Sequence, residues 1–65
     1  MNVIGLIKAN NERYVFIYTE EGRSDVLRTL GRFAANEELS FTWYDAALVS
    51  NLLRQTPSGV VVRQD

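Results

Sequence analysis

Apolar residues recur along this chain with two different periods, and each change of period marks an element boundary. Val3 to Ile7 is a short apolar run, and Tyr14 to Thr19 is a second one rich in aromatic and β-branched residues. Ala9-Asn10-Asn11-Glu12 lies between them, so the two runs predict an antiparallel hairpin with a short polar loop. Glu20-Glu21-Gly22-Arg23 then breaks the second strand. Ser24 stands where a helix N-cap belongs, and Asp25 adds negative charge to the first turn.

From that point Val26, Leu27, Leu30, Phe33 and Ala34 recur at three-and-four spacing, which predicts an amphipathic helix ending near Asn36, a residue suited to a left-handed C-terminal position. Gly31 inside it costs about 1 kcal/mol relative to alanine and suggests a close approach of another backbone. Leu39, Phe41 and Trp43 alternate with Ser40, Thr42 and Tyr44, the period of a strand with one buried face, with Trp43 inward and Tyr44 outward. Thr42 followed by Asp45 resembles a capping box, with aspartate in place of the usual Glu or Gln. A second helix is therefore expected from Tyr44 to Gln55, burying Leu48, Val49, Leu52 and Leu53. Thr56-Pro57-Ser58-Gly59 ends it, and Val60-Val61-Val62 reads either as a last short strand or as a frayed tail.

The predicted order is β-β-α-β-α-(β), an α+β fold with a small antiparallel or mixed sheet of three or four strands and two helices, in a single domain over residues 1–65. Apolar residues make up 46% and charged residues 23% of the chain, a balance that supports a packed core rather than disorder. At 65 residues that core is small, so oligomerisation is an expected source of extra stability. The net charge is −1 with no block of like charges, so nothing attracts polyanions in bulk. The first residues, Met1 to Lys8, lack the basic and long apolar regions of a signal peptide, and no run is long enough to span a membrane, which reads as a cytoplasmic protein.

The same composition removes most catalytic toolkits. With neither cysteine nor histidine, thiol nucleophiles, imidazole bases and Cys/His zinc sites are all ruled out. Activation of Ser24, Ser40, Ser50 or Ser58 would fall to Lys8, the only lysine. The adjacent carboxylates Glu20-Glu21 and Glu37-Glu38 fall in expected loops, where ordinary pKa values leave them no proton to move. Gly5, Gly22, Gly31 and Gly59 stand too far apart to cradle a phosphate, and no segment resembles a calcium loop. The expectation is no catalytic residue, no cofactor, no metal and no small-molecule ligand.

The most informative segment is the second strand. Tyr14, Phe16 and Tyr18 share one face while Val15, Ile17 and Thr19 share the other, so both faces are apolar. Three readings follow: a central strand buried on both sides, a subunit interface, or a stacking platform for single-stranded nucleic acid. The functional expectation is a non-catalytic protein-interaction module, self-associating as a homo-oligomer such as a dimer, with Tyr14, Phe16, Tyr18 and Tyr44 as candidate contacts. The alternative is nucleic-acid binding by the same aromatics with Arg23, Arg28 and Arg32, a reading held down by the acidic balance. A helix-turn-helix is disfavoured, because a strand-like segment occupies the turn and Arg54 is the second helix's single basic residue.

The stretch Leu27-Arg28-Thr29-Leu30-Gly31-Arg32-Phe33-Ala34-Ala35-Asn36, continued by Leu39 through Ala47, resembles short uncharacterised bacterial proteins, with the likeness extending from Tyr14 onward. That resemblance implies a bacterial cytoplasmic origin and carries no activity, ligand or catalytic residue with it.

Overall fold

A tight reversal starts the fold. Asn11 adopts a left-handed backbone with φ of 69°, a conformation asparagine tolerates better than most residues. The Lys8 N–H donates to the Glu12 carbonyl and the Asn11 N–H to the Lys8 carbonyl, each at 2.9 Å. This closes strands β1 (Asn2–Lys8) and β2 (Arg13–Tyr18) into an antiparallel hairpin in which Ile4 faces Phe16 and Leu6 faces Tyr14. The structure is a computed structural model that describes residues 1–55 and 58–64.

Past β2, a single 3-10 turn at Glu20–Gly22 leads directly into helix α1 (Arg23–Ala35). The expected N-cap at Ser24 is displaced: Gly22 holds the cap position without a side-chain bond, and Ser24 lies inside the helix. Asn36 is also not left-handed. Its φ and ψ of −90° and 109° take the chain straight out into an extended connection.

That connection corrects the expected third strand. The alternation of Leu39, Phe41 and Trp43 belongs to a segment with no ladder partner among the described residues. The Glu38 N–H folds back on the Asn36 side chain, and the Ser40 N–H donates to the Glu12 carboxylate instead of to a neighbouring strand. Phe41 is 2% exposed and completes a cluster of four rings with Tyr14, Phe16 and Phe33, at centroid separations of 5.1 to 6.2 Å. Tilted and edge-on contacts of this kind add to the stabilisation that burial itself provides. The period-2 signal therefore reports a connector that buries Phe41 and half-buries Leu39.

Helix α2 (Trp43–Arg54) begins with the expected capping box. The Asp45 N–H donates to Thr42 Oγ1 at 3.1 Å, and the Thr42 N–H donates to Asp45 Oδ2 at 3.0 Å. With Thr42 as the cap, Trp43 is the first helical residue and points outward, 64% exposed, contrary to the inward direction expected of it. Tyr44 is 73% exposed, on the outside as expected. Thr56 and Pro57, which were expected to end this helix, lie outside the described residues. Gly59 has φ of 75°, a turn conformation that suits glycine, and its N–H donates to the Val3 carbonyl at 2.9 Å.

Strand β3 (Val60–Gln64) then pairs parallel with β1, aligning Ile4 with Val60 and Leu6 with Val62. The Val60 signal thus marks a real strand. The sheet is mixed, in the order β2-β1-β3, and the chain crosses from β2 to β3 through both helices. The fold is α+β with three strands and two helices, as the residue pattern predicts.

The large buried side chains of the strands, Ile4, Leu6, Tyr14, Phe16 and Tyr18, lie on one side of the sheet, where Val26, Leu30, Val49 and Leu53 of the helices meet them. Leu27, expected within the buried stripe, is 46% exposed. The close approach expected at Gly31 is absent, since a Cβ built there would meet nothing within 4 Å. Glycine at this position gives no packing in return for its helix cost. Gly31→Ala is expected to raise unfolding stability by about 1 kcal/mol in urea titrations. A loss of stability would show that the helix surface around residue 31 is closed.

Candidate functional site

Strand alternation sends Val3, Gly5 and Ile7 of β1 to the opposite side of the sheet from Ile4 and Leu6. Their neighbours in register are Ile17 and Val15 on β2 and Val61 on β3. Val15, Ile17 and Val61 are between 61% and 65% exposed, high values for β-branched aliphatic side chains clustered on a sheet. Gly5 forms a hollow at the centre, with a Val61 methyl 3.5 Å from where its Cβ would stand. Ile7 is flanked by Arg13 on one side and Arg63 on the other, so two guanidinium groups border one end of the apolar patch. At the other end β2 runs into the acidic turn Glu20-Glu21.

This geometry relocates the expected contact face. Tyr14, Phe16 and Tyr18 are 8%, 6% and 5% exposed and lie beneath α1, α2 and the connector of their own chain. They form the core, so they present neither a docking surface nor a base-stacking platform. Nor is β2 a central strand buried on both faces: it is an edge strand covered on one. The face occupied by Val15 and Ile17 is the open one.

The three arginines of the alternative reading are likewise not gathered with the aromatics. Arg23 donates to Glu20 and Arg28 to Asp25, each at 3.2 Å, in i,i+3 pairs on the helix surface, and Arg32 is exposed in the last turn of α1. Pairs this exposed contribute little energy.

Two polar clusters tie the hairpin to the connector and to the start of α2. In the first, the Glu12 carboxylate accepts from the Tyr14 hydroxyl at 2.8 Å, from the Ser40 N–H at 3.2 Å, and from the Ser40 hydroxyl. The Ser40 hydroxyl, followed by that of Tyr14, holds the Glu12 carboxyl below its ordinary pKa. A carboxylate so saturated with donors is an anchor and has little basicity to offer. In the second, Lys8 Nζ reaches Asp45 Oδ2 at 2.5 Å, with the two side chains 16% and 1% exposed. Lys8 is thus committed to an ion pair and is not free to activate a serine.

Burial alone would raise the Asp45 carboxyl, but the Lys8 hydrogen bond, the Thr42 N–H and the lysine charge outweigh it and hold the group below its usual range. The other oxygen, Oδ1, is buried without a partner among the described residues. Among those residues no group of acidic side chains is placed to hold a metal ion, and no helix is long and apolar enough to cross a membrane.

Local sequence gives no sign of the Glu12 cluster and shows half of the Asp45 one. The capping box pointed to Asp45, but the lysine that neutralises it lies on a distant strand, joined by a pairing of 37 residues' separation. The open face has its own sequence signal in the alternation of Val15 and Ile17, yet no local pattern says which side the helices choose.

Removing the Asp45 charge leaves the lysine buried and unpaired. Asp45→Asn is expected to cost about 3 kcal/mol near neutral pH, and combining it with Lys8→Met should recover much of that loss. Because the folded carboxyl titrates below its unfolded value, its stabilisation is present above about pH 4 and fades as pH falls through the folded value. The gap between wild type and Asp45→Asn should accordingly narrow in acid. Denaturant titrations at several pH values check both, and a gap independent of pH would contradict the assignment.

Comparison with known protein families, curated protein sequences and solved structures finds no match for this chain.

Proposed function

We propose that this protein is a non-catalytic interaction module that associates with a second copy of itself through the open face of its sheet. The observation carrying this reading is the apolar patch of Val3, Val15, Ile17 and Val61 around Gly5, which the protein's own helices leave in water. Aliphatic surface concentrated on one flat face is an interaction site more often than a neutral feature of a monomer. Two such sheets stacked about 10 Å apart bury both patches in one layer, with the helices outside.

The charges at the ends of the face choose the partner and the orientation. Arg13 and Arg63 border one end, and the Glu20-Glu21 turn follows β2 at the other. A two-fold axis lying between the sheets and perpendicular to the strands sets Arg13 of each copy over the acidic turn of the other. The alternative two-fold, along the strands, sets arginines over arginines and is repelled. A single chain therefore carries both halves of a complementary pattern. Nucleic-acid binding loses its main support here, because the aromatics proposed to stack with bases are core residues.

Sedimentation equilibrium tests the reading. The wild type is expected to reach twice the monomer mass, whereas Ile17→Lys, a change at a 61% exposed position, should stay monomeric and fold normally. Arg13→Glu should weaken association, and adding Glu20→Arg and Glu21→Arg should restore it. A wild type that stays monomeric up to about 1 mM, where an interaction of about −4 kcal/mol is half formed, contradicts the proposal.

A further inference from the structure

The outer edge of β2 adjoins the open face and adds a row of backbone groups to it. β2 ends the sheet, and among the described residues its backbone pairs only with β1, so one row of N–H and C=O groups faces outward. Helix α1 runs beside this edge. Asp25, Val26, Thr29 and Phe33 fall at i, i+1, i+4 and i+8, on the side of the helix turned toward β2, and form one wall of a groove of about 490 Å³. The opposing wall is lined by Val15, Phe16, Ile17 and Tyr18, of which Val15 and Ile17 are the exposed ones, and the groove follows the strand from residue 15 to residue 19.

We propose that this groove takes an extended segment of another protein by strand addition to β2. The unpaired backbone edge supplies the main-chain hydrogen bonds, and the apolar slot between strand and helix receives side chains at alternate positions of the segment. Charge names a further feature of the partner. Asp25 lines the groove and Glu20 and Glu21 stand at the same end, with the side chains of Asp25 and Glu20 77% and 68% exposed. Their surface pairs with Arg28 and Arg23 are weak and exchangeable, so a basic residue at that end of the segment is favoured over an acidic one. The partner is an extended, alternately apolar peptide with a lysine or arginine near one end. Val3, Ile7 and Val61 of the open face take no part, whereas Val15 and Ile17 border both surfaces.

The test uses synthetic peptides of about nine residues, long enough to span β2. They alternate valine and threonine, carry one lysine at either end, and are compared with counterparts carrying glutamate there. Binding is read by fluorescence anisotropy and by amide hydrogen exchange across the whole chain. At least one lysine peptide should bind and slow exchange at the outward-facing amides of Val15 and Ile17, and its glutamate counterpart should bind about tenfold more weakly. Thr29→Trp, which fills the groove from a half-buried position, should reduce affinity by about tenfold with β1 and β3 protection unchanged. Asp25→Lys, at an exposed position, should abolish or invert the preference for lysine. No slowed β2 amides with any of the peptides, or binding indifferent to both substitutions, overturns the proposal. Protection confined to Val3, Ile7 and Val61 overturns it equally, since the peptides would then occupy the open face.

Discussion

Everything in this structure follows from the placement of both helices on one side of a three-stranded sheet. A strand sends alternate side chains to opposite faces, so covering one face leaves the other to water. The covered face receives Ile4, Leu6, Tyr14, Phe16 and Tyr18 and becomes the core. Val15, Ile17 and Val61 are consigned to the open side by the same geometry, despite being as apolar as many residues inside. A sheet with a solvated face normally reads apolar-in and polar-out. This one is apolar on both, and that mismatch is the physical basis of its functional reading.

Two devices hold the helices where they are. The first is the ring cluster, in which Phe41 from the connector meets Phe33 of α1 and Tyr14 and Phe16 of β2, joining the hairpin to the helical half of the chain. The second is the pair of anchored carboxylates. Glu12 in the hairpin loop gathers Ser40 from the connector, and Asp45 at the start of α2 takes Lys8 from the end of β1. The Glu12 cluster joins the hairpin's closed end to the connector and the Lys8–Asp45 pair joins it to α2, so the connector is fixed along and just beyond its length although it makes no ladder. Donors already in place around these carboxylates hold both below their ordinary pKa.

Much of the fold is legible in the residue pattern, and the misreadings share a cause. Hairpin, helices and the Thr42–Asp45 capping box are set by local spacing and turn chemistry, which a sequence displays directly. Leu39 to Trp43 and Val60 to Val62 were harder because a strand is defined by its neighbour. The first segment alternates well but meets no strand edge, whereas the second gives a brief signal and gains a partner in β1 from the far end of the chain. Ser24 was displaced as a cap by the 3-10 turn at Glu20–Gly22, which begins helical geometry early. The site was half legible for the same reason: two apolar faces on β2 were visible, and the choice between them depended on where the helices packed. Aromatic residues suggested an interface, but their size is what drew them into the core, leaving the smaller aliphatic residues outside.

The protein is a one-sided sheet with a free strand edge, and the proposal is that association supplies its second layer. The most direct measurement is the relaxation of assigned methyl groups by a soluble paramagnetic probe, at low and at high protein concentration. Methyls of Val15, Ile17 and Val61 should be strongly relaxed in dilute solution and shielded in concentrated solution, with those of Ile4 and Leu6 shielded in both. Open-face methyls relaxed to the same extent at every concentration would contradict the account.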